Sequence, residues 1–188
     1  GRGVHCVERI FRNNGVIHYE GRVHNRLVGI KNPSLSRIRL RHYGYDQGEG
    51  ASEKKFQRTE ALLRKDLEEH PEDPYTHHYL SCSYLSRERY DQVIFHGSEA
   101  LRLAAADRNA DVAFLWTRYN LSLAYYRTKN LAAARETARE SLALFPDHLD
   151  AHFMLIVIGF DDEDWGEVLK HGEHYLRLSA ALERDPTR

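Results

Sequence analysis

The sequence predicts a mainly α protein: an array of helix–turn–helix units preceded by a short β-rich segment. Three observations carry this prediction. From Ser52 onward, apolar residues recur at helical spacing. Within that stretch one pattern of small and large residues repeats, with a 34-residue spacing between its last two copies. Before it, from Val4 to about Tyr45, short runs alternate and are punctuated by turn signals.

The first segment reads as strands. "VHCVERIFR" mixes alternation with β-formers, and "NNG" after it marks a turn. "VIHYEGRVHNRLVGI" is one or two strands broken near Gly21, and "KNPS" is a loop. "SRIRLRHY" puts Ile38 and Leu40 on one face and Arg37, Arg39 and Arg41 on the other. The polar, glycine-rich "GYDQGEGAS" reads as a linker.

Three copies of the repeat begin at Pro74, Leu115 and Leu149. Leu80, Leu121 and Leu155 coincide in them, as do Ser81, Ser122 and Ile156, then Tyr84, Tyr125 and Gly159. Tyr90, Leu131 and Trp165 follow, then Val93, Ala134 and Val168, and Leu101, Leu142 and Leu176 close the second helix. The first two copies are 41 residues apart, which places a seven-residue insertion around "AAADRNA". A helix–turn–helix unit of this length and pattern resembles the tetratricopeptide repeat (TPR). Three full repeats and one leading helix, "ALLRKDLEEHPEDP", are expected over about 52 to 183. Asp73 before Pro74 supplies a capping carboxylate and then a first-turn proline, and Asp147 in "FPDH" is expected to do the same. Glycines at 97, 159 and 172 replace larger residues of the family pattern, which implies looser local packing.

Stacked repeats of this kind line a groove with their first helices. By register the lining is Tyr75, His78, Cys82 and Leu85, then Trp116, Tyr119, Leu123 and Tyr126, then Asp150, Phe153, Val157 and Phe160. This surface is aromatic and apolar, without the Lys and Asn set that resembles the carboxylate clamp of chaperone-binding repeats. It suits an apolar or aromatic segment of a protein or peptide, or self-association. Filling of the groove by the N-terminal half or by an added helix is the structural alternative.

Composition narrows the classes further. A formal net charge of -1 gives no electrostatic footprint for nucleic acid. The longest apolar run, Met154 to Phe160, is seven residues, far below the roughly 18 of a membrane span. Cys6 and Cys82 form neither a disulfide framework nor a zinc spacing, consistent with a reducing, cytoplasmic setting. Met154 is the only methionine, so the chain is read as a piece of a longer protein. The pairs His148/His152 and His171/His174 have spacings that place two imidazoles on one helix face, with surface positions the default reading. "DDED", Asp161 to Asp164, lacks the alternation of a calcium loop and reads as a solvated turn. The Arg37/Arg39/Arg41 stripe could meet phosphates and otherwise is the wet side of a strand.

One further likeness is carried by short strings. Arg9 to Asn13, Tyr19 to Leu27 and His42 to Tyr45, followed by a helix and then repeats, are similar to the end of bacterial family-2 glycosyltransferases with C-terminal TPRs. That family's Val-His-Glu stands here as Val23, His24, Asn25. The resemblance implies that residues 1–50 are the end of a GT-A-type domain and 51–188 the repeat domain. It implies an upstream nucleotide-sugar site with Mn²⁺ or Mg²⁺ on the diphosphate, and His24 as a late metal or phosphate contact. The Asp-x-Asp motif of such enzymes is missing, so this fragment should not turn over alone and should hold no cofactor. The alternative from another class is a non-enzymatic TPR adaptor for protein–protein interaction. Open strand edges in the first segment make a homodimer a further expectation.

Overall fold

The computed structural model describes residues 11, 15–23, 26–31, 34, 49–105 and 114–184. The chain divides into two compact units, Gly1–Asp66 and Leu67–Arg188.

In the first unit, β1 (His18–Glu20) and β2 (Arg26–Val28) form an antiparallel hairpin with His18 opposite Val28 and Glu20 opposite Arg26. Gly21 sits at the expected break, with φ +96°, a backbone that glycine adopts without steric cost. The remaining expected strands, Val4 to Arg12 and Ser36 to Tyr43, fall almost wholly on residues outside those described. α1 (Glu49–Glu69) begins inside the stretch read as a linker. Its first turns carry no breaker except Gly50, and Glu53–Gln57 and Glu60–Arg64 pairs at i,i+4 reinforce it. Arg22 of the hairpin loop forms an ion pair with Asp66 of α1.

The second unit is a TPR-like array of three helix pairs: α2 (Pro74–Leu85) with α3 (Tyr90–Ala104), α4 (Leu115–Arg127) with α5 (Leu131–Leu144), and α6 (Leu149–Asp161) with α7 (Trp165–Arg184). α3 packs on α4 and α5 on α6, so each pair seats the next. Many repeat positions read from the sequence lie in the core, while Trp165 and Leu176 of the third copy are exposed. Leu80, Leu121 and Leu155 are buried, each burial contributing about 1.5–3 kcal/mol. Ala134, Ala138, Met154, Leu155 and Ile158 make one cluster, flanked by Tyr119, Leu123, Tyr125 and Tyr126. Ser81 and Ser122 are small so that the second helix can approach. Each also donates its hydroxyl across the pair, to the Val93 carbonyl at 3.5 Å and the Ala134 carbonyl at 2.8 Å.

The turns within the pairs repeat as well. Glu88, Lys129 and Glu163 hold φ of 54°, 66° and 57°. After each, the next N–H reaches back over the helix end: Arg89 to Tyr84 O, Asn130 to Tyr125 O and Asp164 to Gly159 O. This is the hydrogen-bond pattern that satisfies the last carbonyls of a helix.

Two expectations need correction. Asp73 caps α2 through the N–H groups of Tyr75 and Thr76, but Asp147 does not cap α6. That helix starts at Leu149 with His148 at the cap position, one residue later than the motif suggested, and without a side-chain cap bond. Nor do the glycines loosen the packing throughout. A Cβ on Gly97 would lie 2.8 Å from Leu121 Cγ, and one on Gly159 3.2 Å from Val168 and 3.3 Å from the Asp164 carbonyl. Both mark close approach. Of these three glycines, Gly172 alone has open space beside it.

Candidate functional site

The first helices α2, α4 and α6 lie side by side in one layer, α2 against α4 and α4 against α6. Counted from Leu80, Leu121 and Leu155, the expected groove residues fall at the same four places on each helix. Tyr75, Trp116 and Asp150 share the first place, His78, Tyr119 and Phe153 the second. Cys82, Leu123 and Val157 share the third, Leu85, Tyr126 and Phe160 the fourth.

Exposure divides this set. Tyr75 and Phe153 are 43% exposed, Trp116 60% and Phe160 62%. His78, Cys82, Leu85, Tyr119, Leu123, Tyr126 and Val157 are half-buried. Tyr119, Leu123 and Tyr126 lean on the core beneath α6. The exposed rings are braced by neighbours: Tyr75 by Phe114 at 5.2 Å, Trp116 by Tyr119 at 5.6 Å, Phe153 by Tyr175 at 6.1 Å and Phe160 by Trp165 at 5.4 Å between centroids. Such rings present large apolar area with little rotamer freedom left to lose.

Polar groups join the rows. Tyr126 donates its hydroxyl to Asp161 at 2.8 Å, and that bond holds the phenol above its ordinary pKa. Burial, with the Asp150 charge, does the same for Tyr119. Between α2 and α4, His78 Nδ1 lies 2.7 Å from Thr117 Oγ1. Asn120 donates to Cys82 Sγ at 3.3 Å, and His78 Nε2 is 3.8 Å from that sulfur. A cysteine, histidine and asparagine together invite a nucleophile reading. Burial, however, pushes the Cys82 thiol up against the opposing pull of Asn120. A thiol held protonated is a poor nucleophile, so the trio works as a polar joint between the first two repeats.

The remaining candidates resolve differently. His24 and the Arg37/Arg39/Arg41 stripe lie outside the described residues. Among the described residues no three or more His, Cys, Asp or Glu side chains are arranged to hold a metal ion. His148 and His152 do not act as a pair, since His148 Nδ1 meets Ser141 Oγ at 2.6 Å. Instead His152 meets the α7 histidines. Its Nδ1 is 2.9 Å from His171 Nδ1, and its ring stacks on His174 with centroids 5.1 Å apart.

The "DDED" turn is tied down by its neighbours. Asp161 receives Tyr126, Asp162 pairs with Arg135 at 2.6 Å, and Asp164 caps Glu167 N–H at 3.0 Å. Two features escaped the sequence reading. The buried carboxylate of Glu167 is held by Arg135 and Arg139 at 2.8 and 2.7 Å. His77 and His96 form a second buried pair, Nδ1 to Nδ1 at 3.0 Å. The signal for that pair was present in the repeat alignment: His77 matches His152, and His96 matches His171.

Comparison with solved structures supports the fold. The chain is similar to the "MamA RS-1 ArsTM double mutant", with TM-score 0.61 and 19% identity over 72% of each chain. It is also similar to "MamA 41-end from Desulfovibrio magneticus RS-1", with TM-score 0.56 and 20% identity over 73% of this chain and 72% of that one. No protein-family model matches the chain, and no curated protein matches it. No helix among the described residues is long and apolar enough to cross a membrane.

Proposed function

We propose that this chain is an interaction module that binds an apolar, aromatic-containing segment of a partner protein across its first helices. The observation that carries this reading is the placement of Tyr75, Trp116, Phe153 and Phe160: exposed and ring-braced, at groove-lining positions of three adjacent helices. Exposed aromatics in one contiguous layer are the usual anchors of peptide recognition. Among the half-buried residues between them, Tyr119, Leu123 and Tyr126 pack on the core and His78, Cys82 and Tyr126 meet Thr117, Asn120 and Asp161, which leaves these a positioning role. Nothing in the layer activates a nucleophile, so binding is the activity that its chemistry supports. Selection of peptides from a random phage-displayed library on the full chain tests the reading. Enrichment of sequences with two or more aromatic or large aliphatic residues supports it. Failure to enrich, or enrichment of charged sequences unaffected by Trp116→Ala, contradicts it.

A second reading is carried by the strings Arg9 to Asn13, Tyr19 to Leu27 and His42 to Tyr45. In it the module belongs to a sugar-transferring parent and recruits the acceptor, and His24 contacts the Mn²⁺ or Mg²⁺ diphosphate of a nucleotide sugar supplied by an upstream domain. Metal-dependent release of nucleoside diphosphate by the parent, lost in His24→Ala, supports it. Absence of release across a donor panel with acceptor present leaves the adaptor alone.

A further inference from the structure

The two buried histidine pairs occupy the same place in the first and third repeats. His77 and His152 lie on first helices, three residues before Leu80 and Leu155, and His96 and His171 face them from second helices. The middle repeat has Arg118 and Thr137 there instead.

Hydrogen bonding fixes the protonation pattern of the third pair. His152 Nε2 lies 2.9 Å from the Pro146 carbonyl, which can only accept, so that nitrogen carries the hydrogen. In the neutral ring Nδ1 is then bare and accepts from His171 Nδ1–H at 2.9 Å. The first pair repeats the scheme. His77 bonds to the carbonyl of Pro71, the register equivalent of Pro146, and meets His96 through Nδ1 at 3.0 Å. Each pair therefore spans its two helices with one bond that requires a bare Nδ1 on the first-helix ring. A first proton placed on the bare Nε2 of the donor ring leaves that bond in place. A second sets two N–H groups face to face.

The surroundings differ between the two pairs. Around the third stand His174, stacked on His152, with Arg177 donating to His174 Nδ1 at 2.7 Å, and Lys170 on the same helix. Asp147 and His148 precede α6, Glu167 lies on α7, and from α4 Arg118 faces His148. Glu167 is itself neutralised by Arg135 and Arg139 of α5. At the register position of His174 the first pair has Glu99, with Asp73 at the cap of α2 and Arg102 one turn on from Glu99. The Tyr84 ring stacks on His96 at 5.5 Å. Positive charge is thus opposed more strongly at the third pair.

We propose that the His152–His171 contact is an acid-sensitive latch that closes α6 on α7 while His152 Nδ1 stays unprotonated, with His77–His96 a weaker copy on α2 and α3. Burial supports the direction: it lowers His77, His152 and His171, the last to about 4. A base with a lowered folded pKa stabilises the fold above its unfolded value near 6.5, and that contribution is lost as pH falls towards the folded value. α6 also carries Phe153 and Phe160, so acid would release a segment bound there. That corollary rests on the function proposed above, whereas the latch itself is tested without any ligand.

The test uses the full chain. Two-bond ¹H–¹⁵N spectra of the histidine rings from pH 7.5 to 4.5 read tautomer and titration, and hydrogen exchange at pH 7.5 and 5.0, corrected for intrinsic rates, reads opening helix by helix. The expected result is Nε2–H on His152, Nδ1–H on His171, and titration of both below 6.5. Exchange in α6 and α7 should accelerate about tenfold more than in α4 and α5, with α2 and α3 between. His171→Gln, which keeps a donor but does not titrate, should flatten the acceleration in α6 and α7. If that variant fails to fold, the wild-type spectra still decide. Rings titrating at or above 6.5, the opposite tautomers, or an equal loss of protection in all three pairs overturns the proposal.

Discussion

Gly97 on α3 faces Leu121 on α4 so closely that a Cβ on the glycine would lie 2.8 Å from Leu121 Cγ. Leu121 is buried and cannot step aside without moving the second repeat. Gly97→Ala should therefore lower stability by about 1 kcal/mol net, overpacking of about 1–3 kcal/mol outweighing a helix-propensity gain of about 1 kcal/mol. Gly172→Ala, with nothing within 4 Å, should raise stability by about 0.5–1 kcal/mol. Urea unfolding midpoints of the two variants check the pair, and the same sign for both would contradict the close contact.

Asp73 and Asp147 look alike in sequence and differ in use. Asp73→Ala should cost about 1 kcal/mol, because its carboxylate caps two backbone N–H groups of α2. Asp147→Ala should cost much less, since the cap position of α6 belongs to His148. Thermal unfolding of both variants reads the difference.

These contrasts show what was legible. The repeat register located the buried leucines of the three first helices and all six helices of the three pairs, because burial at fixed spacing is written directly in the residue types. The strand break at Gly21 was legible for another reason, since a positive φ there favours glycine. The Asp147 cap and the glycine contacts were not, because each depends on where a neighbouring helix comes to rest. Spacing along one helix pairs His148 with His152, whereas packing pairs His152 with His171 across two. The division of the lining residues into exposed and half-buried members followed from how α2 and α6 pack on α4.

Arg135 should matter more than Arg139. Both hold Glu167, but Arg135 is largely buried and also grips Asp162, while Arg139 is mostly exposed. Arg135→Met leaves a buried carboxylate with one exposed partner and should cost about 2–4 kcal/mol. Arg139→Met should cost clearly less. Equal losses in denaturant titrations would show that the burial difference does not govern the network.

Cys82 should be a slow thiol. With burial pushing its pKa up, little thiolate is present at pH 8. In a Cys6→Ser background, modification by a disulfide reagent should run at least about tenfold slower on the folded chain than in denaturant. A rate equal to that of the unfolded chain would mean that the joint between α2 and α4 opens freely.

In the function proposed above, the first helices form a binding surface anchored by exposed aromatics. Isothermal titration of a library-selected peptide into the wild-type chain and into the Trp116→Ala/Phe153→Ala double variant tests it most directly. Both rings are exposed, each with one aromatic neighbour named above, so the variant should fold normally, as circular dichroism would verify. The account predicts a Kd at least about tenfold weaker in the double variant, which is about 1.4 kcal/mol or more. An unchanged Kd, with the fold intact, would place binding elsewhere and contradict the account.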